Sequence, residues 1–225
     1  MHLQSLILLL IVLSVPNLPV SAQAALEFQQ FTQVEGLSSD LIFKIHQDQD
    51  GYIWVGTENG LKRFDGKHLL TFRTDPEDEA TLDNDWVMGI FEDSKSHLWI
   101  VTLKGLNLLD RTNGQIQRIP FPTGFQRLPT ERSFKIYEDH LGNLWVTGPT
   151  IKEGASSAKQ TLFRLIPPAT DQETWQLQHF LTPEEWTQEQ DLPRFSSLLY
   201  STPEYLWYNS QDTVYRVPLP TLESE

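Results

Sequence analysis

The chain has 225 residues, with 30 acidic and 17 basic side chains, a net charge of −13 and no cysteine. That balance excludes the Lys/Arg clusters that nucleic-acid phosphates require and argues against an anionic membrane surface. Without cysteine there are neither disulfide staples nor thiolate metal sites, so stability must come from packing.

Residues 1–24 contain no Asp, Glu, Lys or Arg. Leu6–Leu13 is an unbroken apolar run, too short to span a bilayer, which takes about 20 apolar residues. Pro16 and Pro19 break it, and Ala22-Gln23-Ala24 supplies a small-residue cleavage site before Ala25. The pattern predicts a secretory signal peptide over 1–24, although its first five residues lack the usual basic charge. No later apolar stretch is long enough to cross a membrane. Residues 25–225 are therefore expected to be an exported acidic protein, periplasmic or otherwise extracytoplasmic.

From there the chain is ruled by four tryptophans. Asp48-Gln49-Asp50-Gly51-Tyr52-Ile53-Trp54 recurs as Asp93 to Trp99, as Asp139 to Trp145 and, more worn, as Ser201 to Trp207, at spacings of 45, 46 and 62 residues. A period of roughly 40–50 residues with one tryptophan per unit predicts β-propeller blades. Each unit reads as a strand, a tight turn and a tryptophan strand, followed by two more strands. The first strands are Leu41–His46, Val87–Phe91, Ser133–Tyr137 and Ser197–Tyr200. Gly51 and Gly142 supply the left-handed position that the turn needs, and Asp48, Asp93 and Asp139 are expected to close it by bonding their own backbone. The predicted fold is all-β: blades of four antiparallel strands near 40–73, 86–121, 133–181 and 195–217, in a partial, open arc of about four blades.

The joints between blades are also legible. Residues 28–34 read as a spare outer strand, the closing strand of a larger ring. The acidic run Asp75–Glu79 reads as a solvated turn, and Pro120, Pro122, Gly124 and Pro129 mark a long inter-blade loop. The outlying spacing comes mainly from Gly148–Lys159, expected as a mobile hairpin loop. Thr182-Pro183-Glu184-Glu185 is a capping box that predicts a short helix near 183–190. Blade four lacks a fourth strand. A four-blade ring would splay sheets suited to a narrower wedge, so the arc is expected to stay open, with 28–34 not paired to 213–217.

Two stretches, "IFKIHQDQDGYIWVGTENGLKRFDG" and "FKIYEDHLGNLWV", together with the lead-in Gly36-Leu37-Ser38, resemble the two-component regulator propeller repeat. Blade two departs from it at Ser96, in place of the turn glycine, and at Val101, in place of the glycine after tryptophan. Members of that family are periplasmic sensor regions of hybrid sensor histidine kinases or diguanylate cyclases, with larger rings, often two propellers in tandem, and a separate output module. The resemblance implies a ligand-sensing segment whose signalling chemistry lies elsewhere, anchored at the inner membrane in the full receptor. Expected partners are a small molecule or glycan, the missing remainder of the receptor or second propeller, and a possible dimer mate.

Residue patterns for chemistry are sparse. Asp48-Gln49-Asp50-Gly51 fails as an EF-hand loop at both ends, because His46 would open it and Thr57 would close it. His2, His46, His68, His97, His140 and His179 form no zinc spacing. No catalytic residue, metal ligand or cofactor is predicted. Glu92-Asp93 and Glu138-Asp139 could serve a propeller lyase or hydrolase as acid and base, but they recur at the same strand end, which repeat architecture explains. A third alternative is a scaffold that presents its face to a protein. Trp54, Trp99, Trp145 and Trp207 read as blade-to-blade core, while Trp86, Trp175 and Trp186 lie off the repeat and could pack under loops or stack on a sugar.

Overall fold

The structure, a computed structural model, describes residues 41–122, 125–127, 135–152, 159–170, 174–181, 197–202, 204–210 and 213–218. All of them belong to one compact unit, residues 33–225. The signal peptide, the spare strand 28–34, the capping-box helix and Trp186 lie outside the described residues.

Among the described residues the only regular elements are β-strands, as the short Val/Ile/Thr/Trp runs between turn residues require. β1 (Ile42–Gln47), β2 (Ile53–Thr57), β3 (Gly60–Phe64) and β4 (Leu69–Phe72) form the first antiparallel meander. β5 (Val87–Glu92), β6 (Leu98–Thr102), β7 (Leu106–Leu109) and β8 (Ile116–Ile119) form the second. The third contains β9 (Phe125–Arg127), β10 (Lys135–Glu138), β11 (Leu144–Lys152), β12 (Lys159–Ile166) and β13 (Gln176–Leu181). The fourth has three strands: β14 (Ser197–Ser201), β15 (Tyr205–Ser210) and β16 (Thr213–Pro218).

Register makes the four tryptophans equivalent. Trp54 lies between His46 and Arg63, Trp99 between Phe91 and Leu108, Trp145 between Tyr137 and Arg164, and Trp207 between Tyr200 and Arg216. Because side chains alternate along a strand, one sheet face carries the tryptophan and the other carries Val55, Ile100 or Val146. The tryptophan faces of sheets one and two each pack on the opposite face of the following sheet. Trp54, Leu61 and Phe72 meet Val87, Ile90, Leu98 and Ile100, while Trp99, Val101 and Leu106 meet Ile136, Leu144, Val146 and Phe163. These two cores hold sheets one to three as stacked propeller blades.

One expectation is overturned. Gly148–Lys159 is not all loop: β11 runs on to Lys152, β12 starts at Lys159, and the ladder continues through Gly148↔Thr161 and Thr150↔Lys159. The β-branched Thr150, Ile151 and Thr161 favour that extension, and it gives the backbone groups partners. Its outer end also recruits β9, from the stretch read as inter-blade loop, through Ile151↔Gln126.

Among the described residues the outward face of blade one is exposed. Ile45 of β1 is 60% exposed, while its equivalents Ile90 and Ile136 are 5% and 8% exposed.

Close approach of blades one and two depends on a missing side chain. A Cβ on Gly56 would lie 2.7 Å from the Val87 carbonyl oxygen and 2.9 Å from its Cγ1. In blade two the corresponding residue is Val101, and the small residue has moved across the ladder to its partner, Gly89, whose Cβ would come within 3.2 Å of Val101. Gly56→Ala should therefore force the blades apart and lose about 1–3 kcal/mol in urea unfolding, the usual cost of overpacking. A change below about 0.5 kcal/mol would mean that the contact is soft.

Candidate functional site

The recurring aspartates close the turns and anchor the tryptophans with the same carboxylate. Oδ1 accepts two backbone N–H groups: Asp50 and Tyr52 at 3.1 and 2.9 Å for Asp48, Lys95 and His97 at 3.0 and 2.8 Å for Asp93, and Leu141 and Asn143 at 2.9 Å each for Asp139. Oδ2 accepts the indole N–H of the tryptophan six residues on, at 2.7 Å for Trp54, 3.0 Å for Trp99 and 2.8 Å for Trp145. The turn's fourth residue is left-handed in all three blades: Gly51 at φ 88°, Ser96 at φ 67° and Gly142 at φ 79°. Blade four substitutes Thr202, whose Oγ1 accepts the N–H of Tyr205 at 2.9 Å.

Burial pushes the Asp93 carboxyl upward, but hydrogen bonds from the His97 ring, the Trp99 indole and the His97 N–H outweigh it and hold its pKa below the ordinary carboxylate value. Asp139 follows the same logic: burial raises it, while Trp145, Asn143 and Ser201 bring it down further.

The glutamates considered as catalytic partners are latches between blades. Glu92 Oε2 accepts the N–H of Gln49, in the turn of blade one, at 3.1 Å, with His46 Nε2 3.4 Å away. Glu138 Oε2 accepts the N–H of Ser94, in the turn of blade two, at 2.7 Å, and its Oε1 takes the Ser94 hydroxyl. Asp93 and Asp139 hold the turns just described, so each of the four carboxylates of the enzyme reading has a structural task.

Arg111, in the β7–β8 turn of blade two, adds a cross-blade contact that the sequence reading missed. Its Nη1 lies 3.2 Å from Asp48 Oδ2, 3.3 Å from Asp50 Oδ2 and 3.0 Å from Glu92 Oε1, and its Nη2 donates to the Ser96 carbonyl at 2.7 Å. The Glu92 contact lacks hydrogen-bond geometry and is purely electrostatic. A second missed feature sits beside the tryptophans. Arg63 lies 5.8 Å from the Trp54 ring, Arg164 lies 6.0 Å from Trp145 and Arg216 lies 5.7 Å from Trp207. An arginine directly across the ladder from each of these tryptophans was the available signal. Blade two has Leu108 there. Trp175 fills the gap edge-on to Trp99 at 4.9 Å, and is thus packing. Trp86 is 40% exposed and stacked on Phe43 at 5.7 Å.

Beside this network lies a cavity of about 580 Å³, lined among others by Ser96, His97, Leu108, Arg111, Thr112 and Gln115. The His97 Nδ1 is fixed 2.8 Å from Asp93 Oδ2. Leu108 gives the cavity an apolar surface, while hydroxyl, amide and imidazole groups surround it. Among the described residues no group of three or more His, Asp or Glu side chains could hold a metal ion.

Residues 36–59, which hold the first Asp–Trp turn, match the two component regulator propeller family. Over those residues the chain carries one two-component regulator propeller repeat. Histidine kinase P4 of Formosa agariphila is 42% identical over 55 residues, which cover 24% of this chain and 4% of that protein. The extracellular domain of BT4673 from B. thetaiotaomicron, described as a one component system, superposes with a TM-score of 0.52 at 20% identity, over 83% of this chain and 22% of that one. PorZ of Porphyromonas gingivalis, a surface component of the type-IX secretion system, gives a TM-score of 0.48 at 18% identity over 79% of this chain and 24% of that one. The BT4673 superposition shows a shared fold, of which this chain spans about a fifth.

Two measurements probe the repeat's turn. In blade two the repeat's glycine is Ser96, held left-handed at a cost of roughly 1–2 kcal/mol for a residue with a Cβ. Ser96→Gly should relieve that strain, losing only the exposed Oγ bond to Gln49, and raise stability by about 0.5–1 kcal/mol. Thermal melting checks it, and a lowered Tm would contradict the strain.

The second measurement is pH. The folded pKa values of Asp93 and Asp139 are lowered, so their stabilisation is fully present above the unfolded value near 4 and is lost as pH falls toward the folded values. Asp139→Asn should be less stable at neutral pH by about 1–3 kcal/mol. It should also lose stability less steeply than the parent chain below about pH 4. Parallel acid limbs in urea titrations would exclude this linkage.

Proposed function

We propose that this chain is an extracytoplasmic sensor segment of a two-component-type signalling receptor, which binds a small molecule or glycan and leaves signalling chemistry to another module. The observation that carries the proposal is the match of residues 36–59 to the regulator propeller, on the most faithful of the three Asp–Trp turns. The likeness of BT4673, itself an extracellular domain, supports the address, as does the charge-free leader 1–24. The remainder of the receptor or a second propeller is the partner this reading requires. It also allows a dimer in the full receptor.

The cavity beside Arg111 is the proposed ligand seat. Its mixture of Thr112, Gln115 and His97 around Leu108 suits a polyhydroxylated ligand, which needs several modest hydrogen bonds and one apolar surface. Titration calorimetry of the full chain against a panel of soluble oligosaccharides should give saturable binding with the sugar recovered unchanged. Gln115→Ala should weaken it about tenfold, the equivalent of one or two hydrogen bonds. Shortened sugar products would instead point to a hydrolase or lyase. Absence of saturable binding would count against a glycan ligand.

A further inference from the structure

The cavity beside Arg111 is built from blade two and the loop leading into it, and its donors and acceptors are unevenly spent. Most of its donors are already engaged. The Ser96 hydroxyl donates to Gln49 Oε1 at 3.2 Å, and the Thr112 hydroxyl to Asp110 Oδ1 at 2.6 Å. Arg111 meets Asp48, Asp50 and Glu92 with Nη1 and the Ser96 carbonyl with Nη2, so its charge is answered by three carboxylates. The amides of Gln115 and Gln117 remain to donate. Acceptors are left over. Asp93 Oδ2 can only accept, so the His97 ring carries its proton on Nδ1, 2.8 Å away, and Nε2 keeps a lone pair. Asp110 is exposed and takes the Thr112 hydroxyl and N–H on Oδ1, which leaves Oδ2 available. The Thr112 hydroxyl, then its N–H, hold the Asp110 carboxyl below the ordinary carboxylate value. Among the described residues no cationic side chain pairs with it.

We propose that the ligand of this cavity is an amino sugar with a free amine, its ammonium on Asp110 and its ring against Leu108. The inference rests on the reading of the cavity as a seat for a polyhydroxylated ligand, and narrows it. A sugar hydroxyl brings one proton and no charge to an acceptor. An ammonium brings three donors and the charge opposite to the Asp110 carboxylate, and such charge-assisted bonds are about twice as strong as neutral ones. His97 Nε2 then accepts from one of the ligand's hydroxyl groups, and the glutamine amides donate to others. A carboxylated or sulfated sugar fits badly, because its charge would face Asp110 while Arg111 is held by its own carboxylates. An N-acetylated sugar loses the charge that Asp110 lacks. The chain's net charge of −13 favours the approach of a cation in the same sense.

Titration calorimetry of the full chain at neutral pH tests it with the β-1,4-linked trimers of glucosamine, glucose and glucuronic acid. The glucosamine trimer should bind at least about tenfold more tightly than the glucose trimer, the worth of one hydrogen bond to a charged group. The glucuronic acid trimer should bind more weakly than either. Added salt should shrink the preference for the amine, a readout that needs no variant. Asp110→Asn should erase it, since the amide oxygen still accepts from Thr112 but carries no charge. Asp110 is exposed, so folding should survive the change. Equal affinity for the glucosamine and glucose trimers would overturn the amino sugar and leave the polyhydroxylated ligand standing. A preference that persists in Asp110→Asn or at high salt would overturn the seat on Asp110. Binding of none of the three would overturn this inference together with the glycan reading.

Discussion

A tryptophan can fill the space between two sheets only if its indole N–H finds an acceptor there. Burying such a ring removes about 200 Å² from water, which is favourable by about 5 kcal/mol, but an unsatisfied N–H returns a substantial part of that. The aspartate six residues earlier supplies the acceptor, and its own desolvation is offset because each of its oxygens is bonded. Asp48 shows the full set, with two backbone N–H groups on Oδ1 and Trp54 with Arg111 on Oδ2. Turn geometry and core packing are therefore one constraint. A residue that cannot both close the turn and receive the indole breaks the blade twice.

That constraint sets up the contacts between blades. Once the carboxylate has fixed the turn, the N–H of its second residue points outward, and it is this group that Glu92 and Glu138 take from the following blade. The glutamate is the last residue of a first strand, so its position follows from the blade it belongs to, and its partner's position follows from the blade before. Blades thus specify their neighbours through a charged hydrogen bond at the turn and apolar contacts on the face. Such a stack is nearly one-dimensional, with stability arising at each interface.

Much of this was readable before any coordinates. The spacing of Trp54, Trp99 and Trp145 and the Asp and Gly around them carry the sheet order, because periodicity is a local property repeated. The strands of blades one and two differ by only a residue or two from those read off the sequence. What escaped were interactions that join residues far apart in the chain. Arg111 meets Asp48 across 63 residues, and nothing about an isolated arginine after a strand announces that. The extension of β11 and β12 escaped for another reason: Gly148, Pro149 and the Gly-Ala-Ser-Ser stretch 154–157 carry loop signals, yet ladder bonds outweigh them near both strands. Pro149 is tolerated opposite Gln160 although it has no N–H to donate. Glu92 and Glu138 were correctly tied to the repeat but not to their partners, which only the stacking brings within reach.

Blade two looks the least regular of the first three in sequence, and its irregularities compensate one another. Val101, where blade one has Gly56, would overfill the sheet if Gly89 did not stand opposite it. Leu108, where other blades have an arginine over the tryptophan, leaves one side of Trp99 open to an edge-on contact, and Trp175 from beyond β12 takes it. His97 occupies the position of Tyr52 and Asn143, and like Asn143 it gives a ring or amide proton donor to the aspartate below it. Ser96 adopts the backbone of a glycine, and its carbonyl is held by Arg111. A blade that departs at four positions and still keeps the Asp–Trp bond shows where the repeat is rigid: the carboxylate and the indole stay fixed while their surroundings are exchanged in pairs. The cavity beside Arg111 opens among these exchanged residues, Ser96, His97 and Leu108. Blade two can thus vary its surface chemistry without losing its place in the stack, which is what a recognition site built on a repeat requires.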